Sequence, residues 1–442
     1  MWWVLPPDSP IPRRRGILHI LQFGPPSPFR TRDGAAPSGV THHMTSAQVS
    51  PSIDAPGAAR ITPRCPYFGT CGGCRHQDLA YADQVALKQE RLQRAFASFG
   101  ITSPIGLTGC EDPWRYRNKA ELTFAAGSER LLLGFHAAGS FTRVVDIDDC
   151  LLLPEPAAAV LREVRELAAS TGLPAYRAKT HDGFFRYLLL RSNRSGRVLA
   201  ALITSSGPAE VVERMADALM RRRPELAGIY WGRTDRLADV AMPESLTHLR
   251  GETHLEEQIG PFRVHIHPFT FVQANTVQAD RLYRRLADRL GTGETAWDLY
   301  CGAGIIGLYL AGSFRRVFGI DSEPAHGVLA RANAQRNGIE NMQVETGGVD
   351  EVLMDRRRWF LDAAPEAIVV DPPRAGLQPG TVASILGARP RRIGYVSCNL
   401  SSLTRDLRLL SAGFPRYRIA AVDGFDMFPH TEHVETLVLL ER

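Results

Sequence analysis

Glu294–Ala311 reads ETAWDLYCGAGIIGLYLA, and the parsing of this stretch decides the fold. Its first half is a short apolar strand that ends on an acid, Asp298, and its second half opens a helix through Gly302, Gly304 and Gly307. Glycines at such a bend permit a tight turn and let backbone N–H groups approach a ligand. Working outward, RVFGID, EAIVVDPP, RIGYVSCN and HVETLVLLER repeat the strand pattern, separated by helix patterns. That rhythm predicts an α/β domain with a doubly wound sheet. Just upstream, Asn275 and Gln278 form an N-cap and N3 pair, with Leu282, Leu286 and Leu290 on one helix face.

The acids at the strand ends discriminate between cofactors. Asp298 precedes the turn and Asp321 ends the next strand, where a carboxylate can accept both ribose hydroxyls of an adenosine. A dinucleotide site would favour G-x-G-x-x-G, so D-x-x-C-G-x-G fits a class I S-adenosylmethionine site better. In VVDPPRAGL a third acid, Asp371, precedes two prolines that lack N–H groups and stiffen the loop. YVSCN places Cys398 at a fourth strand end, and Glu435 opens the last strand. Taken singly, each has an ordinary reading: an inert buried thiol and a surface acid.

Residues 1–64 hold eleven of the thirty prolines without a sustained period, and are expected to be a disordered Pro-rich tail in which Met44 could be the natural start. They also carry seven Arg against three Asp, a surplus of four, so the formal +5 leaves about +1 for the rest. Net charge therefore says little about a nucleic-acid partner. DLAYADQVALKQERLQRAFASFG patterns as an amphipathic helix near 78–98. KAELTFAAG, RLLLGFHAAGS, FFRYLLLRSN, RVLAALITS and LAGIYWG read as strands, with a helix near 156–170. The expected division is thus an α+β central domain over 65–262, with its first helix docked on the catalytic part, and a catalytic domain over 263–442. No apolar run reaches membrane-spanning length, and nothing implies an obligate protein partner.

Seven unevenly spaced cysteines argue against a disulfide framework and for a reducing compartment, the cytoplasm. CPYFGTCGGC spaces Cys65, Cys71 and Cys74 as C-x5-C-x2-C, with Cys150 much later and Cys110 as its rival for a fourth position. Four thiolates can hold structural zinc or a [4Fe–4S] cluster, and spacing does not separate the two.

Together, CPYFGTCGGC, DIDDC, FVQAN, DLYCGAG, VVDPPRAGL, YVSCN and FDMFPHTEHVETLVLL, in this order over residues 65–442, resemble the RNA uracil-C5 methyltransferase family. The resemblance implies a class I, Rossmann-like methyltransferase domain with a mixed seven-stranded sheet, and a central domain carrying a [4Fe–4S] cluster on Cys65, Cys71, Cys74 and Cys150. It implies Cys398 as nucleophile and Glu435 as base. Gln273 and Tyr300 would contact S-adenosylmethionine, Asp321 its ribose, and Asp371 both cofactor and uracil. No small β-barrel of the kind many relatives carry is legible before Cys65. The partner is then RNA, 23S ribosomal RNA ahead of transfer RNA. Two rivals remain: a methyltransferase with another acceptor, which leaves Cys398 and Glu435 idle, and an iron–sulfur RNA-binding or redox module without turnover.

Overall fold

The computed structural model describes residues 20–22, 59–128, 130–238, 240–354 and 365–442. The expected tail lies mostly outside the described residues. Of its described pieces, Ile20–Gln22 and 59–64, the first pairs antiparallel with Thr247, Leu246 and Ser245, where the sequence reading had no strand.

The C-terminal half forms a sheet in which Met342–Thr346, Phe314–Asp321, Gly293–Leu299, Ala367–Val370 and Arg392–Ser397 run parallel. Ala367–Val370 is buried throughout, as a parallel strand covered on both faces must be. Glu435–Glu441 then inserts antiparallel beside Arg392–Ser397, and Arg418–Phe425 follows it. The sheet has eight strands, not the expected seven, because Gly106–Thr108 from the first half of the chain adds parallel to Arg418–Phe425. Three residues are too few to carry a readable period, so this strand was not foreseen. Helix Thr276–Leu290 is capped by Asn275, whose side chain accepts the Gln278 N–H at 3.2 Å, and it buries Leu282, Leu286 and Leu290 as the pattern predicts.

The preceding residues form a second, mixed eight-stranded sheet, in which Val198–Thr204 and Leu226–Arg233 are parallel and the other pairs antiparallel. Helices Glu155–Ser170 and Ala209–Arg222 pack on it, and all five expected strand segments fall in it. Helix Tyr81–Ala97 leaves this half and lies against helix Leu400–Ala412 and strand Gly106–Thr108. No helix among the described residues is long and apolar enough to cross a membrane.

Candidate active site

The parallel strands end at one edge, and their order reverses between Gly293–Leu299 and Ala367–Val370, where open α/β sheets hold ligands in a crevice. Beyond the first of these strands, Tyr300, Gly302 and Gly304 all take left-handed backbone, with φ of 65, 53 and 77°. Gly304 caps helix Ile305–Ala311, and a Cβ there would sit 2.8 Å from that of Ala330, so only glycine fits. A Cβ on Gly302 would lie 3.6 Å from the Phe271 carbonyl, an ordinary contact, so the turn stands close to the loop that carries Gln273.

Acids flank this turn. Asp298, fully buried, accepts the Gly307 N–H at 3.0 Å while its other oxygen has no protein partner, and burial raises its pKa well above the carboxylate range. Asp321 accepts N–H groups of Gly302 and Glu323, each at 2.9 Å, and lies 3.0 Å from His326 Nδ1. Burial pushes its carboxyl up, but these bonds, His326 foremost, outweigh that and hold it below its ordinary value. Gln273 donates to Asp371 over a long 3.5 Å. The Tyr300 hydroxyl is engaged with Thr381 at 3.2 Å.

Cys398 and Glu435 meet through topology. Ser397 pairs with Thr436 across the antiparallel strands, so the next residues in register are Cys398 and Glu435. Reversing one strand thus carries an acid from the start of Glu435–Glu441 to the edge where the parallel strands end. Cys398 stands before Asn399, which caps helix Leu400–Ala412 by accepting the Ser401 N–H at 3.1 Å and also donates to the Arg374 carbonyl at 2.9 Å. That second bond ties YVSCN to the DPPRAGL loop, bringing Cys398 and Asp371 together.

The electrostatics of the trio follow from burial. Glu435 is 1% exposed, and burial, then the Asp371 charge, raises its pKa well above the ordinary value. Burial pushes the Asp371 carboxyl up to about 7, against the Gln273 hydrogen bond. The Cys398 thiol is pushed up to about 11 by burial and by the Glu435 charge, with Arg374 opposing. Arg374 was missed in the sequence, although it stands in the quoted VVDPPRAGL. His326 was missed as well, being an isolated histidine at the start of helix Pro324–Arg336. Phe425, at the end of the strand beside Glu435, is 2% exposed and belongs to the core.

A second constellation lies in the other half. Cys65, Cys71, Cys74 and Cys150 line one cavity of about 730 Å³, together with Arg117 and Lys119. Burial, then the neighbouring thiols against a Gln77 hydrogen bond, pushes Cys74 up to about 12. Among the described residues no three such ligating side chains converge closely enough to hold one metal ion. Cys110 stands elsewhere, its sulfur accepting from Asn275 at 3.3 Å and Gln278 at 3.2 Å.

Residues 261–442 match the family model described as tRNA (uracil-5-)-methyltransferase. An uncharacterised RNA methyltransferase of Listeria monocytogenes is 34% identical over 86% of this chain and 84% of its own length. One from Nitratidesulfovibrio vulgaris is 35% identical over 87% and 84%. The crystal structure of Pyrococcus abyssi tRNA (uracil-54, C5)-methyltransferase with S-adenosyl-L-homocysteine superposes with a TM-score of 0.68 at 27% identity, covering 83% of this chain and 85% of that one. The chain belongs to the family of S-adenosylmethionine-dependent RNA (uracil-C5-)-methyltransferases.

Proposed function

We propose that the protein methylates C5 of a uridine in structured RNA, with 23S ribosomal RNA as the first substrate class, through a covalent bond from Cys398 to C6. The adjacency of Cys398 and Glu435 in antiparallel register, with Asp371 beside them, carries this reading. A methyltransferase acting on another acceptor would give this pair no task.

The glycine turn at Gly302, bonded to Asp321 and close to the Gln273 loop, suits S-adenosylmethionine, which when bound supplies an electrophilic methyl group. Asp321 is the carboxylate for its ribose, with Tyr300 and Gln273 on its flanks. C5 of uracil is a weak nucleophile, so the protein must first change the ring. The Cys398 thiolate adds at C6, the displaced pair enters the ring as an enolate, and C5 becomes able to attack. Burial favours the protonated form of the Asp371 carboxyl, which suits a hydrogen bond to a ring oxygen as charge develops there. After transfer, Glu435 takes the C5 proton, the C5–H pair re-forms the C5–C6 double bond, and the C6–S bond breaks to return the thiolate. Burial gives Glu435 the proton affinity this step needs.

For the second constellation we propose a [4Fe–4S] cluster on Cys65, Cys71, Cys74 and Cys150. Zinc needs four thiolates about 2.3 Å from one point, whereas a cubane spreads its ligands around a larger body. What supports the cubane is that all four thiols line one cavity of about 730 Å³. Its role is structural, holding the Arg117 and Lys119 face towards RNA.

The likeness to the Pyrococcus tRNA enzyme favours transfer RNA as a second reading of the substrate. Methyl-labelled S-adenosylmethionine and unmodified 23S and transfer RNA transcripts test both. Label in 5-methyluridine of one RNA identifies the class. Label in another nucleoside, or RNA binding with no label at all, overturns the proposal.

A further inference from the structure

Glu435 is delivered by residues 426–434, the connection between strands Arg418–Phe425 and Glu435–Glu441. One face of helix Tyr81–Ala97, far away in sequence, reads this connection at every second residue. Lys88 Nζ donates to Asp426 at 2.6 Å and to the Phe428 carbonyl at 3.0 Å. Gln84 accepts the His430 N–H at 3.0 Å, and Arg91 donates to the Glu432 carbonyl at 2.8 Å. Positions 84, 88 and 91 are spaced i, i+4, i+7, which puts them on one helical stripe. The chain leading out of the cysteine segment joins them, since the Arg75 and His76 N–H groups both reach the His430 carbonyl, at 2.8 and 3.1 Å.

Stability alone does not explain this arrangement. Lys88 is 2% exposed and Asp426 fully buried. Such pairs rarely stabilise more than an apolar pair of like volume, but they do fix geometry. Moreover, two of the three bonds from Lys88 and Arg91 go to backbone carbonyls of the connection, so they set its path rather than recognise a particular side chain.

We propose that Gln84, Lys88 and Arg91 are positioning residues for Glu435, and that this helix, outside the methyltransferase sheet, governs removal of the C5 proton and hence release of RNA. The inference rests on the reading of Glu435 as the base. The step it affects is the last one: Glu435 gains the C5 proton, the C5–C6 double bond re-forms, and Cys398 leaves with the C6–S pair. Cys398 itself is held by a different helix, so addition and methyl transfer should survive a slack connection.

Single-turnover reactions with labelled methyl donor separate the two stages, scoring denaturation-resistant RNA–protein adduct against released 5-methyluridine. Wild type is compared with Glu435→Gln, Lys88→Met, Lys88→Arg and Arg91→Ala. Arg91→Ala guards against misfolding of Lys88→Met, because it leaves no buried charge unpaired. The expected result is methylated adduct accumulating in Glu435→Gln, Lys88→Met and Arg91→Ala. In the last two, release should slow about tenfold to a hundredfold while adduct forms within about threefold of the wild-type rate. Lys88→Arg should recover part of the release rate. Adduct formation and release slowed alike in Lys88→Met and Arg91→Ala would reveal a purely structural role and overturn the inference. So would trapping in Glu435→Gln alone. Absence of adduct in Glu435→Gln would remove the base assignment itself.

Discussion

Cys301 and Cys398 both follow the carboxyl end of a parallel strand in the same sheet, two residues past it in one case and one in the other. Cys301 is 7% exposed, and its sulfur packs so closely over Gly319 that a Cβ there would lie 3.0 Å away. Burial, followed by the Asp298 charge, keeps its thiol protonated. Cys398 is half-buried and faces Glu435, Arg374 and Asp371. The extra residue makes the difference. Tyr300 takes left-handed backbone and turns the chain before Cys301, whereas Cys398 follows Ser397 directly, at the bend that leads into helix Leu400–Ala412. A strand end offers a place for chemistry, and the next one or two residues decide whether a thiol uses it.

The sharpest way to break this comparison is to remove each sulfur. Cys398→Ala should lower methyl transfer by about 10³-fold or more, since no other group supplies the C6 nucleophile. Cys301→Ala should stay within about threefold, because it deletes only a packing contact. Equal losses in the two variants would erase the distinction. The pH profile gives the next largest effect. Cys398 is pushed up to about 11 and Glu435 is also raised, yet both act in the proton-free form. The ratio kcat/KM should therefore climb from pH 6 to 9, by about tenfold per unit for each group that must lose its proton before the governing step. A flat profile would mean that the thiol is not titrating in the rate-governing step.

How much of this was legible is best judged residue by residue. The acids Asp298, Asp321 and Asp371 stood out because each closes an apolar run, and parallel strands must put such residues at one edge. Cys398 and Glu435 were legible only as members of longer motifs; that they meet depends on one reversed strand, which no local pattern reveals. Helix Tyr81–Ala97 was readable as a helix, but its buried stripe was not, for it consists of Gln84 and Lys88 as well as Leu92 and Phe96. Buried polar residues look exposed until their partners, here His430 and Asp426 at the opposite end of the chain, are in place. Cys110 was the weaker rival to Cys150 for the fourth position, and of the two only Cys150 lines the cavity of the other three thiols.

That last contrast extends the comparison to the other half of the molecule. Cys150→Ser should cost the anaerobically purified protein its iron and sulfide, whereas Cys110→Ser should keep both. An unchanged cluster in Cys150→Ser would remove it as a ligand.

The smallest expected effect concerns stability. The Asp371 carboxyl titrates near 7 when folded against about 3.9 when unfolded, so the folded chain binds its proton more tightly. The stability this contributes is complete below about pH 4 and is lost as pH rises through 7. Asp371→Asn cannot ionise, so its Tm should gain on wild type across that window, reaching about 3 °C at pH 8. A gain that shrinks with rising pH would contradict the assigned burial of this carboxyl.

The most direct test of the account uses RNA transcribed with 5-fluorouridine, in which C5 has no proton for Glu435 to remove. The account predicts a covalent complex that survives denaturation, carries the labelled methyl group, and maps after digestion to the peptide holding Cys398. Absence of a complex from an RNA that the protein otherwise methylates, or attachment at Cys301 or any other residue, would contradict it.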